Sequence, residues 1–221
     1  MEYKDALAQR FSCRCFLDKP VDAALVRELV ALAQRVPSWG NTQPWKVYAV
    51  AGEPALAIRR GLVQAHTSGQ AEQPDIPMPS TFEGVLMDRY RELGKALFAV
   101  LGIGRENKDE RSAHYANNFD AFGASTLVYF TVPAGQTLYV ALDAGAFVTA
   151  FCLAASERGL ATCILAALAR YPQVVRAVLN IPSEESILIG LALGHPDSQA
   201  EINHFRSSRA SLEQMLSLNG F

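Results

Sequence analysis

The chain is poor in the features that mark most metal, hydrolytic and nucleic-acid classes. Its 221 residues contain four cysteines, Cys13, Cys15, Cys152 and Cys163. They are too few for a disulfide scaffold, and they lack the paired C-x2-C spacing of a zinc site. Cys13 and Cys15 share one face of an extended segment, but no third or fourth ligand is near. They read as inert thiols, with a metal or redox pair as the alternative. H-E-x-x-H, G-x-S-x-G and the Walker A loop are all missing from the sequence, which removes zinc-peptidase, serine-hydrolase and P-loop chemistry. Gly102-Ile103-Gly104 supplies two glycines of a dinucleotide fingerprint, yet it follows a helical pattern instead of a strand and is expected to end that helix. A net charge of only -2 gives no basic field for nucleic acid. The four histidines (His66, His114, His195, His204) are scattered and read as surface or polar-network groups. The first residues lack a signal-like apolar core, and no apolar run is expected to reach the roughly 18 residues of a membrane span. The expected location is cytoplasmic, without a membrane or nucleic-acid partner.

What the chain does have is apolar content. Half of its residues are hydrophobic and 19% are charged, enough for one substantial core, so residues 1–221 are expected to form a single domain. Helical spacing predicts a short helix over 5–11, an amphipathic helix up to about residue 34 capped by Asp22, and helices over 54–64, 82–101, 108–119 and 172–179. Strands are expected over 45–50 (closed by Gly52), 124–132, 161–165 and 186–193, and a loop over 66–80. Residues 138–158 are apolar on nearly every face and are expected to form a buried central helix ending at Gly159. The tail from Asp197 is polar with scattered apolar residues and must lie on another surface.

Two clusters carry chemistry. Arg10, Ser12 and Arg14 alternate with Phe11, Cys13 and Cys15, so in extended chain the polar three face one way. Two guanidiniums and a hydroxyl suit an anion such as a phosphate, or form an exposed edge of salt bridges. Pro37-Ser38-Trp39-Gly40-Asn41-Thr42-Gln43-Pro44-Trp45 sets amide and hydroxyl groups beside two tryptophans. That composition fits a planar heteroaromatic ligand, or else a capped helix-to-strand loop with a core tryptophan.

Five segments in order resemble the nitroreductase family of FMN proteins over most of the chain. They are Arg10-Phe11-Ser12-Cys13-Arg14-Cys15-Phe16, Pro37-Ser38-x-x-Asn41-x-Gln43-Pro44-Trp45, Gly159-Leu160-Ala161-Thr162-Cys163, Gly190-Leu191-Ala192-Leu193-Gly194-His195-Pro196-Asp197, and Asn203-x-x-Arg206-x-x-Arg209. The middle and C-terminal thirds look most like the nitrobenzoate-reductase branch. The resemblance implies an α+β fold, a central mixed or antiparallel sheet flanked by helices, in a homodimer that exchanges a C-terminal arm (197–221) and shares its flavin sites. It also implies that Arg10, Ser12, Arg206 and Arg209 hold the FMN phosphate and that Arg14 lies near N1 and O2 of the isoalloxazine. Pro37, Ser38, Trp39 and Asn41 would reach the flavin of the other subunit. Asn117 or Asn118 would offer an amide to the pyrimidine edge, and backbone of the Leu165, Ala166, Ala167 turn would approach N5.

The implied activity is transfer of hydride from NAD(P)H through flavin N5, in ping-pong fashion, to nitroaromatic, quinone or similar electron-poor small molecules. The flavin performs the redox step, so no catalytic side chain and no metal are expected. A flavin-fragmenting or dehalogenating enzyme of the same fold, or a non-catalytic FMN-binding protein, are the alternatives. Two positions depart from the family pattern. Asp120 stands where many relatives have lysine and is expected to turn away from the flavin, and Ala166 replaces an acidic residue.

Overall fold

Four strands, β1 (Lys46–Ala51), β2 (Thr126–Pro133), β3 (Ala161–Leu165) and β4 (Glu185–Gly194), form one antiparallel sheet in the order β1-β2-β4-β3 in the computed structural model, which describes residues 2–221. Around it lie α1 (Tyr3–Gln9), α2 (Ala23–Ala33), α3 (Gly52–Thr67), α4 (Gly84–Val100), α5 (Lys108–Ala116), α6 (Leu138–Glu157) and α7 (Pro172–Leu179). This is the expected α+β architecture, with the sheet antiparallel throughout.

The central strands are buried on both faces because each face meets a different helical layer. Leu127 and Tyr129 of β2 join Ile187 and Ala192 of β4, with Ile58 and Leu62 of α3 and Val175 of α7, in one core. Their period-two neighbours Val128, Phe130, Leu191 and Leu193 join Leu29 of α2 and Phe147 and Phe151 of α6 in the other. A register shift between Phe130 and Thr131 bends β2 against β4. At Gly190 an added Cβ would come within 2.4 Å of the Leu168 Cβ, so the turn after β3 packs directly on the β4 backbone.

Several elements follow local chemistry. Asp22 caps α2 by accepting the Ala24 N–H at 2.8 Å. Gly159, at φ 71°, terminates α6. Gly102, at φ 67°, ends the turn after α4, so that pair of glycines is a helix end. Gly52 differs from expectation: its φ of 64° begins α3 instead of closing β1, because a left-handed residue redirects the chain straight into a helix.

The expectation for α6 needs two corrections. It is 20 residues long and contains an 18-residue stretch of mean hydropathy 1.8, enough in length and composition to cross a membrane even with Asp143 inside it. The helix is also not buried all round. Ala144, Phe147, Val148, Phe151 and Cys152 face the core, whereas Leu138, Tyr139, Leu142, Gly145, Ala146 and Thr149 are exposed. Those positions recur at helical spacing, so a whole apolar stripe is left uncovered by the rest of the subunit.

Candidate functional site

The segment Arg10–Arg14 leaves α1 as extended chain and lies beside the edge strand β3, with Ser12 bridged in parallel to Thr162 and the Cys13 N–H bonded to the Thr162 carbonyl at 3.0 Å. Period two then sends Cys13 fully into the core. Arg10, Ser12 and Arg14 line an open cavity of about 360 Å³. Arg206 and Arg209, nearly two hundred residues later, line the same cavity with Phe11, Leu93 and Phe205. The wall carrying Leu93, Phe205, Arg206, Ser207 and Arg209 is shared with a second, larger hollow of about 650 Å³ against α4.

Asn203 brings the two ends of the chain together. Only 4% exposed, it accepts the Arg14 N–H at 2.9 Å and donates to the carbonyls of Cys15 at 2.7 Å and Asp197 at 2.8 Å. A buried amide with all three bonds made is a firm anchor. The tail therefore divides: its first turn is docked on its own subunit, while Leu212, Met215, Leu216, Leu218 and Phe221 remain exposed.

The electrostatics of the cavity are one-sided. Among the described residues, no carboxylate lies within salt-bridge distance of Arg10, Arg14, Arg206 or Arg209. Arg206 instead donates to the carbonyls of Asn203 and Phe205 and lies 4.2 Å over the Phe11 ring. Arg209 donates to the Ser207 and Ser208 carbonyls. Four guanidiniums and a serine hydroxyl without an internal counter-charge form a site for a multiply charged anion, such as a phosphate monoester. The salt-bridged edge considered from sequence is not what forms.

The thiols take no part. Burial pushes Cys13 up to about 12 and Cys163 up to about 11, far from thiolate at neutral pH, and no group of three potential metal-ligating side chains occurs among the described residues.

Other residues singled out in the sequence lie outside this cavity. The loop from Pro37 to Gln43 sits at the start of α6, where the Trp39 N–H donates to Asp143 at 2.9 Å and its ring meets Tyr139 edge-on at 4.8 Å. Trp39 is 66% exposed, so it is not a core tryptophan; Trp45 fills that role against Phe147. The Leu165–Ala167 turn begins three residues along β3 from Thr162, the bridge partner of Ser12, about 10 Å away at the rise of a strand. Leu165 and Ala167 are buried and Ala166 is exposed.

At the end of α5, Asn118 spends its amide on the Tyr115 carbonyl at 2.8 Å. The Asn117 side chain has no partner among the described residues and is exposed. One turn earlier is His114, whose pKa is lowered by burial and, to a lesser extent, by the charge of Arg14. Asp120 is engaged by another group: both of its oxygens pair with Arg59, at 2.8 and 3.0 Å. Sequence reasoning missed Arg59, His114 and Leu93. None stands in a motif, and each acquires its neighbours only through tertiary contact.

A family model described as the Nitroreductase family matches residues 7–195. A 4-nitrobenzoate reductase of Nocardioides sp. (strain LMS-CY) is 31% identical over 219 residues, covering 97% of this chain and 89% of that protein. Among solved structures, an FMN and NADPH-dependent nitroreductase NfnB from sphigopyxis sp. strain HMH superposes with a TM-score of 0.95 at 33% identity, covering all of both chains. The FMN-dependent nitroreductase NfnB of Mycobacterium smegmatis, solved in complex with NADPH, gives 0.92 at 30% identity over 98% of each chain.

Proposed function

The chain belongs to the nitroreductase family, and we propose from this that it is a cytoplasmic homodimer whose two flavin sites are each built from both subunits. It is an FMN-dependent oxidoreductase that uses NAD(P)H and acts on nitroaromatic compounds. The single observation that carries the site assignment is the set of four guanidiniums, with Ser12, that share one cavity and have no carboxylate to neutralise them.

In this reading Arg10, Ser12, Arg206 and Arg209 hold the FMN phosphate. The chemistry FMN supplies when bound is two-electron transfer at N5, taking hydride from NAD(P)H and then reducing a nitroaromatic, quinone or similar acceptor in a ping-pong sequence. Arg14 lies near N1 and O2, where its charge favours a reduced, anionic ring. Asn117, its side chain free, is assigned the pyrimidine edge in preference to Asn118. The Leu165-Ala166-Ala167 turn offers backbone N–H groups toward N5, so the missing acidic side chain at Ala166 is immaterial to that contact. Since no protein nucleophile is needed, no side chain is given a catalytic role.

Homodimerisation is supported by the uncovered stripe of α6, by Trp39 and its loop lying at the edge of that stripe, and by the exposed apolar residues of the arm. A two-fold axis beside α6 would cover the stripe on both chains at once, and Pro37, Ser38, Trp39 and Asn41 would then reach the partner's flavin. An apolar stripe flanked by polar loop residues fits a protein partner better than a bilayer.

Purification and anaerobic titration test this reading. The protein should be yellow, release FMN and not FAD on denaturation, and lose its flavin absorbance band when NADH or NADPH is added. FAD, or a colourless protein that takes up no FMN, would overturn the assignment; FMN that no nicotinamide bleaches would favour a non-catalytic flavoprotein.

A further inference from the structure

The turn between α5 and β2 is held in a conformation that its residues resist. Ala121, Phe122 and Gly123 follow one another with φ of 51°, 53° and 78°, and the turn is closed by the Gly123 N–H to the Asp120 carbonyl and the Ala124 N–H to the Ala121 carbonyl, both at 3.1 Å. Glycine alone of the three takes this left-handed backbone freely. What holds it is Arg59 of α3. Its Nε and Nη2 donate to the two oxygens of Asp120, and its Nη1 donates to the carbonyl of Ala124 at 3.4 Å. One planar guanidinium, with its side chain only 15% exposed, thus brackets both the residue that enters the left-handed turn and the residue that leaves it.

The bracketed turn is bonded in its own right to the end of α5. The Phe122 N–H donates to the Asn117 carbonyl at 2.9 Å, and the Ala121 N–H to the Asn118 carbonyl at 3.4 Å. The Phe122 ring lies 6.0 Å from His114, one turn before Asn117 on α5. Anything that moves the turn therefore moves the backbone carrying Asn117.

We propose that Arg59 is a positioning residue for the cofactor, fixing through the bracketed turn where Asn117 presents its amide to the pyrimidine edge. This rests on the FMN reading above. It also accounts for Asp120 where the family resemblance sets a lysine in many members: the carboxylate serves as the anchor for Arg59, and its charge is consumed there.

A double-mutant cycle tests the proposal, with Arg59→Ala, Asn117→Ala and the double variant compared for FMN dissociation constant and flavin midpoint potential. Arg59→Ala should weaken FMN by about tenfold, the effect of one misplaced hydrogen bond, and Asn117→Ala by a similar factor. The double variant should be no worse than Asn117→Ala alone, because both changes remove the same contact. Arg59→Lys, which can meet Asp120 but lacks the fork that also reaches Ala124, should give a partial loss, and it carries the test if Arg59→Ala does not fold. Effects that multiply fully in the double variant, or Arg59 variants that melt earlier yet bind FMN with wild-type affinity and potential, would overturn the proposal. A wild-type protein that takes up no FMN would instead overturn the cofactor reading itself.

Discussion

Leu142 is the sharpest probe of the shared-site homodimer. It lies in the middle of the exposed stripe of α6, 68% exposed, with Leu138 one turn before it at 88% and Tyr139 at 57%. Complete burial of a leucine side chain stabilises by about 1.5–3 kcal/mol, and roughly two-thirds of that surface is still open in the single subunit. Covering it in a dimer should therefore contribute about 1–2 kcal/mol per chain. A two-fold contact uses the residue twice, so Leu142→Ala should cost about 2–4 kcal/mol, or a roughly thirty- to thousandfold weaker dimer. Leu142→Glu would place a carboxylate in the middle of an apolar stripe and should dissociate the dimer at micromolar concentration. Sedimentation with the flavin absorbance followed in the same run is the assay, and FMN should be lost along with dimerisation if Trp39 and Asn41 act across the interface as proposed. A Leu142→Glu protein that still sediments as a flavin-loaded dimer would refute the placement of the interface. A wild-type protein that sediments as a monomer with FMN bound would refute the shared site.

Further expectations concern the cavity and the core. Arg10→Ala and Arg206→Ala should each weaken FMN binding by about 1.5–3 kcal/mol, the range of a charge-assisted bond; equilibrium dialysis showing unchanged affinity in both would remove them from the phosphate site. Arg14→Ala should lower the flavin midpoint potential while leaving FMN bound, and spectroelectrochemistry giving an unaltered potential would count against its position at N1 and O2. The Tyr129 hydroxyl is fully buried without a hydrogen-bond partner, so Tyr129→Phe should raise the melting temperature by a few degrees, as removal of about 1–3 kcal/mol of unrelieved desolvation requires. A fall in the calorimetric midpoint would show that the hydroxyl is satisfied after all.

Legibility in the sequence tracked how local each determinant is. β3 and α7 begin and end where the residue pattern places them, since Gly159 and Pro172 punctuate short apolar runs. The Asp22 cap and the common face of Arg10, Ser12 and Arg14 are equally local. Arg206 and Arg209 could be joined to that face only through family resemblance, because Asn203, the residue that pins the tail to Cys15 and Arg14, acts across 188 and 189 positions. The Arg59–Asp120 pair spans 61 positions and leaves no periodic trace. Apolar content in α6 was plain, but periodicity cannot tell a face buried by its own subunit from one awaiting a partner, so the exposed stripe was expected to be buried with the rest of the helix.

Backbone strain points to the same places as the charges. Among the described residues, five that are not glycine have left-handed φ: Asn41, Gln43, Ala121, Phe122 and Asn180. Asn180 caps α7, where a left-handed asparagine is ordinary. The other four fall into two segments, the loop at the start of α6, proposed to reach the partner's flavin, and the turn after α5, proposed to position Asn117 for the flavin of its own subunit. At Ala121 and Phe122 the conformation costs about 1–2 kcal/mol per residue, and a sequence selected for stability alone would place glycine there, as it does at Gly123. Such strain persists where surrounding contacts over-determine the backbone, and here Arg59 on one turn, with the Ser38 hydroxyl accepting the Gln43 N–H at 2.9 Å on the other, provides them. Both loops are thus pinned by specific hydrogen bonds, which would suit the proposed site, where a planar ring is held in register while small molecules exchange on its face.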